Sequence, residues 1–248
     1  MTVHSCTTGV ATRNSSAEVN RFAARRLSGR EATDDATASR GEVIATLRDI
    51  RRANLILGGT RVVVSEALNL TKHSRGPLTL MDVGSGTGDI ARAVARALAA
   101  RGVRTHTIAV EQSFILGMIA RPETDEVIAG DALCLPIRDR SVDVVICSQV
   151  LHHFDDQRAR ILISELDRVS RIGVVIGELQ RDVVASVLFR AVAPALRFHP
   201  VTVHDGLLSI ERGFLGPELH ALVRSAVPRD VVVRRRFPFR LTASWTVN

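Results

Sequence analysis

The stretch Leu80-Met81-Asp82-Val83-Gly84-Ser85-Gly86-Thr87-Gly88-Asp89-Ile90 sets the fold of this chain. A short apolar run, Leu78 to Val83, stops at a glycine cluster and passes into a helical pattern, which reads as strand, loop and helix. Glycines at 84, 86 and 88 leave a backbone that a ligand can approach closely, because side chains there would collide with it. The spacing is G-x-G-x-G, and Asp89 stands where a dinucleotide-binding fingerprint places its third glycine. Asp82, two positions before Gly84, would crowd a pyrophosphate but suits a cationic ligand.

Outward from this loop, strands and helices alternate. Strands are expected at 78–83, 105–110, 126–128, 142–147 and 173–177, with helices near 89–101, 113–120, 156–169 and 217–226. The strands are β-branched and lack polar interruption, the pattern of a parallel sheet covered by helices on both faces. Before it, residues 43–57 show near-helical apolar spacing that stops at Gly58-Gly59, and a second helix covers 61–70. Residues 1–40, rich in Ser, Thr, Ala, Asn and charge, are expected to form a flexible tail, 41–75 a helical cap, and 76–248 the main domain. The rhythm breaks at about 179–217, an insert with the apolar helical pattern VVASVLFRAVAPAL. The tail VVVRRRFPFRLTASW suggests two strands meeting at Pro238 and pairing antiparallel at one edge.

Composition narrows the class. The 248 residues are 46% hydrophobic and 24% charged, which argues against wholesale disorder, a collagen-like repeat or a coiled-coil rod. No apolar run approaches the ~20 residues of a membrane-spanning helix, and residues 1–30 lack the apolar segment of a secretory signal, so a cytoplasmic protein without a stable membrane anchor is expected. Cys6, Cys134 and Cys147 are far apart, which disfavours disulfides and structural zinc; no metal is expected. The formal charge of +7 is almost all arginine, Lys72 being the one lysine, and the arginines are scattered. A nucleic-acid surface is therefore disfavoured against solvated faces or substrate steering.

At this point the chain resembles the class I S-adenosylmethionine-dependent methyltransferases. Their first motif is acidic-x-G-x-G-x-G at the end of the first strand, and MDVGSGTGD matches it. The strand Ile108-Ala109-Val110 ends at Glu111, 27 residues after Gly84, where the family places the acid that holds the ribose hydroxyls; a carboxylate is a natural acceptor for a vicinal diol. Gly130-Asp131-Ala132 resembles the turn in which the aspartate accepts from the adenine amino group. Ser141-Val142-Asp143-Val144-Val145 and Val150-Leu151-His152-His153-Phe154 resemble the fourth strand and the helix entry after it. The resemblance implies a Rossmann-like α/β fold: a seven-stranded, mostly parallel sheet with helices on both faces and an antiparallel last strand. N-terminal helices and a lid insert before the last two strands complete it. S-adenosylmethionine is the implied cofactor, with Asp82, Gly84, Ser85, Gly86, Gly88, Glu111, Gln112, Asp131, Ala132, Ser148 and Gln149 as its binding candidates.

Methyl transfer from a sulfonium is an in-line displacement, so the protein must chiefly align donor and acceptor and exclude water. A hydroxyl acceptor also gains from a general base, for which histidine has the best-matched pKa. The candidates are His204, preferred because Asp205 can orient it, then His199, His153 and His152; Glu178 and Arg212 are candidate acceptor contacts. The Asn/Asp-Pro-Pro-aromatic turn of amino-directed nucleic-acid methyltransferases is replaced by Ser148-Gln149-Val150-Leu151, and Cys147 lacks a Pro-Cys context and reads as buried packing. Glu178-Leu179-Gln180-Arg181, His204 to Ile210 and Arg52-Ala53-Asn54 with Gly58-Gly59 resemble bacterial methyltransferases associated with type III polyketide synthases. That resemblance implies a small hydrophobic phenolic or quinol-like acceptor methylated at oxygen. A carbon methyltransferase of quinone biosynthesis is the nearest rival, followed by an RNA methyltransferase, a non-catalytic S-adenosylmethionine-binding protein and a nicotinamide dehydrogenase. A homodimer is allowed but not specified.

Overall fold

The computed structural model describes Arg26, residues 40–112 and residues 114–247. Apart from Arg26 and Arg40, the expected N-terminal tail lies outside the described residues. Helix α1 spans Arg40–Ile56 and α2 spans Gly59–Leu70; strand β1 (Leu78–Val83) leads through the glycine loop into α3 (Asp89–Ala99). There follow β2 (Thr105–Glu111), α4 (Phe114–Ala120), β3 (Glu126–Ala129), β4 (Val142–Ser148), α5 (Asp156–Val169) and β5 (Ser170–Leu179). The insert forms α6 (Val183–Val192) and α7 (Pro200–Arg212), and α8 (Gly216–Ala226), β6 (Val232–Arg236) and β7 (Arg240–Thr246) end the fold.

The seven strands lie in the order β3-β2-β1-β4-β5-β7-β6. β1 to β5 pair in parallel, and β7 runs antiparallel between β5 and β6. The expected sheet, with its antiparallel last strand, is therefore present. Strand order reverses between β1 and β4, the switch point beside which open α/β sheets place their ligands. Alternate residues along each strand feed opposite faces, which is why the strands read as unbroken apolar runs. Leu80, Val144 and Ile146 pack with Val62, Val63, Val94 and Leu98 of α2 and α3. Met81, Val145 and Cys147 pack on the other face with Leu162, Leu166, Leu219 and Trp245.

Two expectations change. Residues 200–212, which carried no assigned element, form α7: Pro200 supplies a first-turn residue and His199 caps the end, its Nδ1 accepting from the Val201 N–H. β5 is longer than 173–177, because Ser170 pairs with Val142 at one end and Leu179 with Arg240 at the other. The segment 41–75 also divides in two. α1 lies against α7 and the glycine loop, whereas α2 is built into the core through Val62, Val63 and Ala67. On α2 the buried Glu66 accepts from Arg234 (3.0 Å), Arg236, Thr242 (3.0 Å) and Ser244 (3.4 Å), joining α2 to the C-terminal hairpin.

Gly173 tests the packing between β5 and β7. A Cβ there would sit 2.4 Å from the Trp245 carbonyl oxygen and 2.9 Å from Leu70 Cδ1, and the backbone oxygen cannot move aside. Gly173→Ala is expected to destabilise the chain by about 2 kcal/mol, measured by urea unfolding; an unchanged midpoint would contradict this packing.

Candidate functional site at the carboxyl ends of the strands

The ends of β1, β2, β4 and β5 bring the sequence-selected residues to one edge of the sheet. Gly84 sits at φ +71, and a Cβ there would meet Val150 Cγ2 at 2.5 Å, so the loop lies directly against the segment after β4. Gly86, at φ +58, is different: a Cβ would find only Leu47 Cδ2, 3.8 Å away on α1. The loop backbone at Gly86 is thus approachable from above and roofed by α1. Gly88, also left-handed, precedes the first residue of α3.

Three carboxylates gather beneath this loop. Glu111 reaches from the end of β2, and its Oε1 accepts from the Gly86 N–H and from Ser85 Oγ (3.1 Å). Burial pushes its carboxyl up, against the pull of those two donors. Asp82 is 1% exposed, and its Oδ2 has no hydrogen-bond partner among the described residues. Burial, then the neighbouring Glu111 and Asp89 charges, push Asp82 well above the usual carboxylate range. Burial also raises Asp89, which Thr87 and Arg51 partly offset. These acids are only partly neutralised by the protein's own groups, and a cationic ligand would supply the missing countercharge.

The remaining cofactor candidates surround the loop unevenly. Gln112 is exposed just beyond β2, while Gly130 N–H donates to the Glu111 carbonyl (3.0 Å) and so holds the Asp131 turn beside Glu111. Asp131 is exposed, its Oδ1 accepting from the Leu133 N–H (2.9 Å), and Ala132 is half-buried against the core. Ser148 and Gln149 are half-buried at the end of β4. Gln149, at φ +58, donates from Nε2 to Asn54 Oδ1 (2.6 Å) and accepts at Oε1 from Arg240 (3.1 Å). Burial pushes Arg240 down to about 10 despite the Glu178 charge.

The histidines separate into two groups. His152 is buried with its Nδ1 2.9 Å from Glu178 Oε2, and Glu178 Oε1 accepts from the Leu151 N–H (2.8 Å). Burial alone would push Glu178 up, but His152, the Leu179 N–H and His153 hold it below its ordinary range. Half-buried His153 places its ring centroid 4.4 Å from that of His152, and Arg212 Nε donates to the His152 carbonyl (3.0 Å). The structure therefore brings His152, His153, Glu178 and Arg212 together on the turn after β4. His199 and His204 stand apart from that turn on α7. The His199 N–H donates to Asp49 Oδ2 (2.7 Å), which also accepts from Thr202 Oγ1 (3.2 Å), fastening α7 to α1. The His204 side chain is 75% exposed, with Nδ1 3.2 Å from Asp205 Oδ1. Cys147 is buried, and burial with the Glu178 and Asp82 charges pushes its thiol up, so it is no ready nucleophile.

Sequence reasoning missed Leu47, Asp49 and Arg240. Leu47 and Asp49 read as ordinary members of an amphipathic helix, and a single buried arginine carries no signal in a chain with so many.

Residues 81–176 match the family described as "Methyltransferase domain". Over 91 residues, 36% of this chain, the sequence is 34% identical to the Bos taurus protein named "Probable tRNA methyltransferase 9B", and the match spans 18% of that protein. A SAM dependent methyltransferase from Aquifex aeolicus shares the fold, with a TM-score of 0.57 and 13% identity over 86% of this chain and 100% of that one. Human N-acetylserotonin methyltransferase gives a TM-score of 0.59 and 16% identity over 84% and 56% of the two chains. Residues 81–176 carry a methyltransferase domain, and the fold is the one seen in S-adenosylmethionine-dependent methyltransferases. The aligned stretch covers under a fifth of the curated relative it matches. The cofactor of such a domain is a sulfonium cation, and the donor set fits it: the unpartnered Asp82 oxygen and the neighbouring acids offer the countercharge, and Gly86 gives the close approach.

Asp82 yields a measurable consequence for the methyltransferase domain. A raised carboxyl means that the folded state favours the protonated form. The stability this supplies is complete below the unfolded value of about 4 and is lost as pH rises through the folded value. Asp82→Asn, which cannot ionise, is therefore expected to raise the thermal midpoint of the unliganded chain by a few degrees at neutral pH, with the gap closing as pH falls. Scanning fluorimetry across pH measures it; a lower midpoint for the variant at neutral pH would refute this account.

Proposed function

We propose that this chain transfers the methyl group of S-adenosylmethionine to the hydroxyl of a small hydrophobic acceptor, phenolic or polyketide-derived. The observation that carries the proposal is the roof over the site. Leu47 of α1 faces Gly86, and Asp49 ties α1 to the start of α7, while Arg212 at the other end of α7 holds the His152 carbonyl. A covered site suits a small acceptor that must be shielded from water. The name of the curated relatives raises tRNA as an alternative acceptor, but the likeness covers 18% of each of them.

When bound, S-adenosylmethionine supplies an electrophilic methyl on a positively charged sulfur. On this reading Glu111 accepts from the ribose hydroxyls, Asp131 and Ala132 face the adenine, and Asp82 offers the countercharge beneath the loop. Leu47 and the α1–α7 clasp exclude water, which supports the alignment that drives transfer. Glu178 orients His152 and, through the Leu151 N–H, fixes the turn that carries His153. His153 combines partial access with this fixed turn, so it is the base assigned to the acceptor hydroxyl. His204, the base preferred from sequence, has a largely exposed ring on α7 and is the alternative base.

Isothermal titration with S-adenosylmethionine and S-adenosylhomocysteine is expected to show micromolar binding that Glu111→Ala weakens by at least about tenfold, the loss of a pair of charge-assisted hydrogen bonds. Methyl transfer should then be scored on alkylresorcinols, pyrones, quinols and tRNA, with the methylated atom located by NMR. O-methylation of a phenol that falls roughly 10²–10⁴-fold in kcat in His153→Gln, with cofactor binding intact, would support the assignment. Transfer to carbon, or to tRNA alone, would overturn it.

A further inference from the structure

Helix α6 has two unlike sides. Its inner side is packed: Ala185 is buried, the Phe189 ring lies against Gly206 of α7, where an added Cβ would come within 2.6 Å of it, and Phe189 and Phe198 stand 6.2 Å apart. Its outer side carries Val184, Val187, Leu188 and Val192, exposed by 55%, 62%, 49% and 38% among the described residues. Their spacing of three, four and eight residues from Val184 puts them on one stripe of the helix. Four aliphatic side chains in one exposed row on a single short helix mark an interaction surface, since isolated apolar residues are scattered singly on ordinary surfaces.

The charge around the stripe identifies the partner. Between Asp182 and Asp205 the sequence contains no acid, and its charged residues are Arg190 and Arg197, both exposed. Asp182 itself is occupied as the cap of α6, accepting from the Val184 N–H (2.8 Å). Arg190 follows Val187 by three residues and so borders the stripe. Arg52 stands 5.5 Å over Phe198 near the α6–α7 connection, but Asp49, 3.5 Å away, already pairs with it. A second copy docked across a two-fold axis on this face would set arginines against arginines with no acid between them. An apolar stripe on a segment whose charged residues are arginines instead matches a surface of anionic headgroups over acyl chains. No helix among the described residues is long and apolar enough to cross a membrane, so the contact lies at the surface.

We propose that the outer face of α6 docks reversibly onto anionic phospholipid, the valine and leucine side chains entering the headgroup boundary and Arg190 and Arg197 pairing with phosphate groups. The proposal goes beyond methyl transfer and does not depend on which acceptor is used. Where the acceptor is hydrophobic, it would place the roof of the site against the phase in which such a compound dissolves.

Co-sedimentation of the full chain with vesicles tests it. Vesicles mixing phosphatidylglycerol with phosphatidylcholine are expected to bind at least about tenfold more tightly than phosphatidylcholine alone, an advantage that added salt erodes. Val187→Glu with Leu188→Glu should abolish the binding, and Arg190→Glu should weaken it by about fivefold or more. The thermal midpoint and S-adenosylmethionine affinity should stay unchanged, because these side chains are exposed. Absence of vesicle binding, equal binding to both compositions, or wild-type binding by the double variant would each overturn the proposal. So would light scattering that shows the double substitution converting a dimer to a monomer, which would make the stripe a contact between copies.

Discussion

The contact between the Glu111 carboxylate and the Gly86 N–H organises the site. It draws the end of β2 beneath the loop that follows β1, so two neighbouring strands are fixed at the edge where ligands of open sheets bind. It also brings a second acid to the buried Asp82. The protein folds around an accumulation of negative charge that its own residues only partly neutralise, and that shortage is chemically complementary to a sulfonium. Glycine at 86 is what permits the arrangement: the same backbone that donates to Glu111 is open on its other side.

Around this centre the chain builds a roof from elements distant in sequence. α1 precedes the sheet and α7 belongs to the insert before the last two strands, yet Asp49 joins them through the His199 N–H and the Thr202 hydroxyl. Gln149 extends the linkage from Asn54 on α1 to Arg240 on β7. A left-handed backbone at a non-glycine residue is costly, and Gln149 accepts it in a position where its side chain bridges two other elements.

The sheet was legible because its evidence is local: apolar strands of standard length, glycine punctuation and ordered acids at strand ends. Glu111 and Asp131 could be placed from their position after a strand. The roles of the histidines were not legible in the same way. His204 does contact Asp205, as its neighbour in sequence suggested, but the sequence did not show that the aspartate is buried while the imidazole is largely exposed. Glu178 read as an acceptor contact; in the structure it lies near the end of β5 and also holds His152 and the Leu151 N–H, 26 and 27 residues away. Asp143 in the Ser141–Val145 stretch serves the opposite end of the sheet, accepting from the Thr79 N–H. Pattern locates residues on elements, whereas roles such as these depend on which elements become neighbours.

The clasp between Glu66 and the C-terminal hairpin bears on how the molecule is made. Its partners Arg234, Arg236, Thr242 and Ser244 lie 168 to 178 residues further along the chain. During synthesis α2 emerges well before this hairpin, and its carboxylate can be buried with partners only once β6 and β7 have left the ribosome. Until then α2 either remains undocked or buries a charge without compensation, which is strongly unfavourable. The β6–β7 pair therefore completes the docking of α2, and a nascent chain stalled before it would expose the face of the sheet that α2 covers to chaperones and proteases.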